Sequence, residues 1–196
     1  VLSGNDDYQS LDRNVINPDV TIEQLLTMTS GIDNVHDYFT EEYTALQTNP
    51  VWKPVEIIRL VTKNFVPPGN YTYSNTNTNL LGMIAEHTGG QTLSELYKSE
   101  LLKPLDLVAL LLPQDSAPLD TAHPYEDLSK WSGSGFGDIL ASLDWIDDWY
   151  QTTGRTSWAA AGIITTPTNM AQWAYELFSV QGSAISPTAR ARLLGS

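Results

Sequence analysis

Apolar residues along the chain recur at helical spacing between capping residues and glycines. Thr21 can cap a helix, Gln24 can reach back to it, and Gly31 ends the segment. The apolar side chains of this helix fall on one face: Ile22, Leu25, Leu26 and Met28. A second helix begins at Pro54, a favoured first helical residue, and runs to about Asn64. The pattern therefore predicts short amphipathic helices in the first third of the chain.

The middle of the chain continues in the same way. The turn at Pro67–Gly69 is followed by an apolar helix that stops at Gly90. A second capping box, Thr92 with Glu95, begins the next helix, which Pro104 terminates. Two consecutive helices are therefore predicted here.

The last third combines a loop-rich stretch with two more helices. The stretch from Pro113 to Gly137 contains a Ser-Gly run, which is interpreted as a connector or as an active-site loop. Ala159–Thr165 is a small apolar run that we expect to be buried, and Thr166 then caps a helix. Its apolar residues are expected to face the core: Met170, Trp173, Ala174, Leu177 and Phe178. A short helix begins at Ser186, and since no alternating pattern suggests a sandwich or barrel, the chain is predicted to be mainly α-helical.

Composition limits the possible functions. The 196 residues are 41% hydrophobic, enough for one domain, residues 1–196. A net charge of −13 with ten scattered Lys and Arg residues argues against nucleic acid as a partner. The lack of cysteine excludes disulfides and thiolate chemistry, and the three histidines lack metal-ligand spacing, so we expect no metal and no cofactor. No apolar run approaches the roughly 20 residues that span a bilayer, so no membrane segment is expected in this chain.

A tyrosine motif, Tyr73-Ser74-Asn75, follows the Pro-Gly turn at the start of a predicted helix. Three segments carry a family pattern in order: Thr21–Ile32, Tyr73–Gly90 and Ala160–Phe178. Together they resemble the β-lactamase-related serine hydrolases, which include class C β-lactamases, D-alanyl-D-alanine carboxypeptidases, D-aminopeptidases and esterases. The Tyr-Ser-Asn-Thr-Asn form is most similar to the carboxypeptidase branch.

The resemblance implies roles for individual residues. In this family the serine of an S-x-x-K motif attacks a carbonyl to form an acyl-enzyme, and a tyrosine relays the proton that the serine loses. By the resemblance, Tyr73 is that catalytic tyrosine, and Asn75 orients the substrate amide and the motif lysine. Ser74 is not expected to be the nucleophile. Trp158 is a candidate for lining the substrate cleft, although tryptophan at such a place is more simply a core or rim residue.

Two further family motifs are expected outside this chain. None of the five lysines stands three positions after a serine; the residues found there are Pro50, Leu60, Glu95, Glu100 and Asp127. We therefore expect the nucleophile before Val1 and the K-T-G or H-x-G triplet after Ser196. The triplet that ends at Gly89, His-Thr-Gly, is interpreted as a helix stop. The resemblance thus implies the helical domain of the serine β-lactamase/DD-peptidase fold, with the α/β sheet domain largely absent.

The expected function follows from the resemblance. We expect part of a D-alanyl-D-alanine carboxypeptidase that acts on peptidoglycan stem peptides, or binds β-lactams, in the cell envelope or outside the cell. Alone, this piece is expected to be inactive, because one wall of the active-site cleft would come from the α/β domain of the same protein. That domain is the expected partner of this chain. The alternatives are a class C-like β-lactamase, a D-aminopeptidase, an esterase, or a non-catalytic binding module. The presence of both Tyr73 and Asn75 favours an enzyme.

Overall fold

The computed structural model describes residues 2–35, 41–48, 52–111, 114–115 and 157–195. Over these ranges the chain is mainly helical and contains one pair of short antiparallel strands. This agrees with the predicted mainly α composition. Within the same ranges, every helix is too short or too polar to cross a membrane.

The main helices and the two strands of the described residues are numbered in chain order. In order they are α1 (Asp6–Gln9), α2 (Ile22–Leu26), α3 (Glu41–Thr48), α4 (Pro54–Ile58), α5 (Asn75–Gly89), α6 (Leu93–Leu96), β1 (Ala109–Leu111), β2 (Ile163–Thr165), α7 (Pro167–Phe178) and α8 (Pro187–Leu194). After α6, a π-helical turn at Tyr97–Leu102 and a 3-10 turn at Lys103–Leu105 continue the same helical path. Another 3-10 turn, Trp158–Ala160, precedes β2.

Both predicted capping boxes are present. Thr21 Oγ1 accepts a hydrogen bond from the Gln24 backbone N–H at 3.1 Å, and Gln24 Oε1 accepts from the Thr21 N–H at 3.0 Å. Thr92 and Glu95 make the same reciprocal pair at the start of α6. These local signals begin both helices where they were expected.

Helix α2 ends at Leu26, earlier than predicted. After it, the chain runs beside residues 66–72. Met28 adopts a left-handed conformation with φ 56°, and its carbonyl accepts from the Thr72 N–H at 2.8 Å. Three residues further on, the Gly31 carbonyl accepts from the Val66 N–H at 3.0 Å. A Cβ on Gly31 would lie 2.0 Å from the Val66 carbonyl oxygen, so this close approach requires glycine.

Helix α4 is also shorter than predicted. It begins at Pro54 as expected but ends at Ile58. Beyond it, the N–H groups of Leu60 and Val61 donate to carbonyls three residues earlier, the tighter pattern of a helix end. The apolar residues of this region are nevertheless in the core.

Helix α5 is at the centre of the described fold. It packs against α2, α4, α6 and the 3-10 turn at Trp158–Ala160. Around it lies a core of buried apolar side chains that includes Leu25, Ile32, Val35, Val55, Ile57, Ile58, Leu80, Met83 and Trp158. The tyrosine motif therefore lies at one end of the best-packed helix.

The two strands and α7 form a less buried layer. β1 pairs with β2 with Ala109 opposite Thr165 and Leu111 opposite Ile163. Within Ala159–Thr165 only Gly162 is buried, and both Ala161 and Ile163 are exposed, so the expectation that this small apolar run is buried is wrong for most of it.

The prediction that the apolar face of α7 points to the core is also wrong. The helix has the expected bounds, with Thr166 as its N-cap, but none of its residues is buried. Met170 is 53% and Phe178 49% exposed. An amphipathic pattern identifies an apolar face without saying what covers it.

Candidate active site

The tyrosine motif lies at the N-terminus of α5, as the sequence predicts. Asn75 is the first helical residue, Ser74 is the N-cap, and Tyr73 precedes it. The Tyr73 side chain is 54% exposed, and its hydroxyl donates to Oδ1 of Asn75 at 3.0 Å. The two predicted site residues are therefore in direct contact at the protein surface.

The Asn75 amide is held on its other side by a residue from a distant segment. Oδ1 of Asn34 accepts from the Asn75 backbone N–H at 2.9 Å and from Asn75 Nδ2 at 3.2 Å. Consequently Nδ2 of Asn75 faces Asn34, and Oδ1 of Asn75 faces Tyr73.

Residues 33–35 are attached to the first turn of α5 by three further hydrogen bonds. The Asp33 carbonyl accepts from Ser74 Oγ at 3.1 Å and from Thr76 Oγ1 at 2.7 Å. Thr76 Oγ1 accepts in turn from the Val35 N–H at 2.9 Å. Ser74 is fully buried, and its hydroxyl is used in this contact, so it is not presented to a substrate.

Residues 29–31, Thr-Ser-Gly, are hydrogen-bonded to the same first turn of α5. Ser30 Oγ donates to Oδ1 of Asn77 at 2.7 Å and accepts from the Ile32 N–H at 3.1 Å. Nδ2 of Asn77 donates to the Met28 sulfur at 3.3 Å. Ser30 and Asn77 are buried, so two of the three segments that carry the family pattern meet through satisfied internal polar groups.

The helix N-terminus favours negative charge near the Tyr73 hydroxyl, but only weakly. Helix α5 has 15 residues, and the field at a helix N-terminus stabilises an anion by about 0.3–1 kcal/mol at an exposed site. Ionising a tyrosine phenol near neutral pH costs about 4 kcal/mol. A tyrosine base at this place therefore needs additional positive charge close to its oxygen.

Lys63 forms an ion pair with Asp33, the residue before Asn34. Its Nζ lies 3.3 Å from Oδ1 of Asp33, in a pair whose lysine side chain is 67% exposed. Such an exposed pair contributes little to stability.

Trp158 is buried among the described residues. Its side chain is 1% exposed and packs against α5, where the ring approaches Gly82. The absence of a side chain at position 82 leaves room for the indole, and this burial favours the core alternative for Trp158 over a place in a substrate cleft.

Sequence reasoning missed Asn34. Its partner, Asn75, is 41 positions away, so no local pattern connects them. A weak signal exists, since the polar pair Asp33-Asn34 interrupts the apolar residues Ile32 and Val35, which are both buried.

Two other predictions concern neighbouring residues. The His-Thr-Gly triplet lies in the last turn of α5, before Gly90 with φ 65°, so its interpretation as a helix stop is confirmed. Most of the loop-rich stretch from Pro113 to Gly137, with its Ser-Gly run, lies outside the described residues.

Comparison with protein families decides the assignment. Residues 8–195 match the family described as Beta-lactamase. The chain belongs to the Beta-lactamase family. Because the match covers nearly the whole chain, the resemblance carried by the three segments is confirmed.

Curated relatives of this Beta-lactamase family chain include D-aminopeptidases. The D-aminopeptidase of Brucella anthropi is 29% identical over 114 residues, which make up 54% of this chain and 22% of the relative. The match thus covers less than a quarter of the length of that relative.

Solved structures of two other proteins have the same fold. A D-amino acid amidase from Ochrobactrum anthropi SV3, complexed with L-phenylalanine, has a TM-score of 0.66 at 17% identity, over 94% of this chain and 52% of that chain. A penicillin binding protein from Bacillus halodurans has a TM-score of 0.64 at 23% identity, over 96% and 55%. The Beta-lactamase family chain therefore corresponds to about half of each of these proteins.

Proposed function

We propose that this chain is the helical part of a serine hydrolase of the Beta-lactamase family, in which Tyr73 relays a proton and Asn75 orients the substrate. The observation that carries the proposal is the contact of the exposed Tyr73 hydroxyl with Oδ1 of Asn75 at 3.0 Å. A general base and an amide group are thereby presented together at the surface, at the end of a rigid helix.

In this proposal each group has a defined step. Tyr73, as its phenolate, accepts the proton of the serine hydroxyl as the serine attacks a carbonyl carbon, and the resulting phenol returns that proton to the leaving amine when the amide bond breaks. Asn75 can both donate to and accept from an amide, so it can hold the substrate backbone beside Tyr73. The serine and the lysines that favour the phenolate would come from parts of the same protein outside these 196 residues.

The proposed substrate is a peptide that ends in D-Ala-D-Ala, as in peptidoglycan, hydrolysed by a carboxypeptidase of the cell envelope or outside the cell. A second candidate is hydrolysis of an amide bond at an N-terminal D-residue, and the D-aminopeptidase relative favours it. Both candidates use the same acyl-enzyme chemistry and differ in which end of the D-residue is recognised.

The catalytic role is tested by Tyr73→Phe in the full-length protein that contains this chain. Acylation by a fluorescent penicillin is expected to slow by about 10²- to 10⁴-fold, the usual range for a general acid or base. Tyr71→Phe is the matched control, because Tyr71 is 71% exposed, lies two positions earlier and is assigned no role. Equal rates for the two variants would remove Tyr73 from the mechanism.

The substrate class is tested with two substrates. Release of free D-alanine from a peptide that ends in D-Ala-D-Ala supports the carboxypeptidase, whereas cleavage of the anilide D-alanine p-nitroanilide supports the aminopeptidase. A full-length protein that cleaves neither substrate and forms no adduct with penicillin would instead be a non-catalytic binding module.

A further inference from the structure

We propose that Asn34 is a positioning residue, which fixes the orientation of the Asn75 amide and, through it, of the Tyr73 hydroxyl. This inference rests on the proposed function and concerns the same site. Its starting point is that one oxygen, Oδ1 of Asn34, accepts two hydrogen bonds from a single residue.

The two bonds work together to select one orientation of the amide. The Asn75 backbone N–H is fixed by α5, so its 2.9 Å bond holds Oδ1 of Asn34 in place. The Asn75 side chain then points Nδ2 at the same oxygen, at 3.2 Å. Rotating that amide by half a turn would bring its own oxygen against Oδ1 of Asn34, where two acceptors would face each other without a proton between them.

The consequence reaches Tyr73. With Nδ2 held by Asn34, the Asn75 group that faces the phenol is Oδ1, which accepts the Tyr73 hydroxyl proton at 3.0 Å. The bond directs the O–H toward Asn75 and restrains a ring that is otherwise half exposed. Asn34 therefore orders the protonated form of Tyr73, which returns the proton to the leaving amine, without touching a substrate.

Asn34 is itself held by its neighbours in the chain. On one side the Asp33 carbonyl accepts from the hydroxyls of Ser74 and Thr76, and on the other the Val35 N–H donates to Thr76. Val35 is fully buried. Since the backbone is attached to α5 on both sides of Asn34, the acceptor oxygen is preorganised.

Asn34 also acts as the cap of α5. Ser74 is at the N-cap position, but its side chain makes no capping bond. Oδ1 of Asn34 satisfies the first N–H of the helix instead. A stability effect is therefore expected in any Asn34 variant, and the test must separate it from an effect on catalysis.

The test uses the full-length protein and measures acylation by a fluorescent penicillin together with the melting temperature. Asn34→Ala is expected to slow acylation by roughly 10- to 100-fold, as expected when a reacting group is misplaced by a fraction of an ångström to one ångström. Asn34→Asp keeps an acceptor oxygen in the same place and is expected to recover most of the rate. Asn34→Gln moves the oxygen one methylene further and is expected to lose rate even if Asn34→Ala does not fold.

A double-mutant cycle shows whether Asn34 acts through Asn75. If it does, Asn34→Ala combined with Asn75→Ala is no slower than Asn75→Ala alone. The control is Asn17→Ala, since Asn17 is a buried asparagine whose Oδ1 accepts a local bond from the Asp19 N–H at 2.9 Å. This control is expected to lower the melting temperature and leave the acylation rate unchanged.

Three outcomes would overturn the inference: additive losses in the cycle, an unchanged rate in both Asn34→Ala and Asn34→Gln, or failure of Asn34→Asp to recover any rate. Tyr73→Phe is measured in parallel. If that variant keeps the full rate, the proposed function fails; if it is slow while the Asn34 variants are not, the inference about Asn34 fails alone.

Discussion

Replacing Gly82 by alanine tests how Trp158 packs against α5. In an ordinary helix interior the change from glycine to alanine stabilises by about 0.5–1 kcal/mol. At this position an ideal Cβ would lie 2.7 Å from Cη2 of Trp158 and 2.8 Å from Cβ of Ala159. Both distances are well below the roughly 3.5–4.0 Å of carbon atoms in contact.

The steric cost is expected to exceed the gain in helix propensity. The indole is 1% exposed, so it cannot move outward without disturbing the core. Overpacking of this kind costs about 1–3 kcal/mol, which leaves a net loss of up to about 2.5 kcal/mol for Gly82→Ala.

Gly89 in the same helix provides the control. A Cβ there would lie 2.6 Å from Cδ2 of Leu96, the flexible end of a side chain that can move aside. Both variants gain helix propensity, so the difference between them isolates the packing of Trp158. Gly82→Ala is expected to be less stable than Gly89→Ala by about 1–3 kcal/mol.

Urea unfolding measures this difference. With a slope of about 2 kcal/mol/M, the two midpoints are expected to differ by about 0.5–1.5 M. If Gly82→Ala unfolds at the same or a higher urea concentration than Gly89→Ala, the reasoning is refuted. Trp158 would then not be packed against α5, and its assignment to the core would have to be withdrawn.

Three other predictions concern the missing nucleophile, the buried Arg190 and the acid dependence of Asp115. Incubated alone with penicillin, the 196 residues are expected to show no covalent adduct by intact-mass analysis, since no serine stands three positions before a lysine; an adduct would place a nucleophile within them. Arg190→Met is expected to cost about 2–3 kcal/mol in urea unfolding, because the buried guanidinium donates to the Leu177 carbonyl at 3.0 Å, while the exposed Arg192→Met changes little. Burial raises the pKa of the Asp115 carboxyl, but hydrogen bonds, the first from Lys98, outweigh it and hold that pKa below its ordinary 3.8. Ionised Asp115 therefore stabilises the fold at pH values above the ordinary pKa of 3.8, and this effect is lost as the pH falls through the lowered pKa. Asp115→Asn should therefore show a flatter acid dependence of the melting temperature.

The parts of the fold that local chemistry determines could be predicted from the sequence. The two capping boxes begin α2 and α6 because Thr21 and Thr92 find their partners three residues away. The tyrosine motif was correctly expected at a helix start, since Pro-Gly turns commonly precede one.

The parts that depend on distant contacts could not be predicted. The end of α2 depends on a bond from Thr72 to Met28, and the strands β1 and β2 have three residues each, too few to show alternation. The interaction of Asn34 with Asn75 is of the same kind, since neither residue carries a local sign of the other. For α7 the sequence predicts an apolar face correctly, but whether the side chains of that face are buried depends on what packs against them.

The attachment of residues 28–35 to the first turn of α5 affects when the site forms during folding. Helix α5 can begin to form from its own residues, whereas the Asn75 amide takes its orientation only after a segment 41 positions away has docked. Contacts of such long sequence separation form late because the loop between them must first be closed. A partly folded chain would therefore contain the tyrosine motif without the hydrogen bonds that join Asn34, Asn75 and Tyr73, and formation of these bonds would report completed folding.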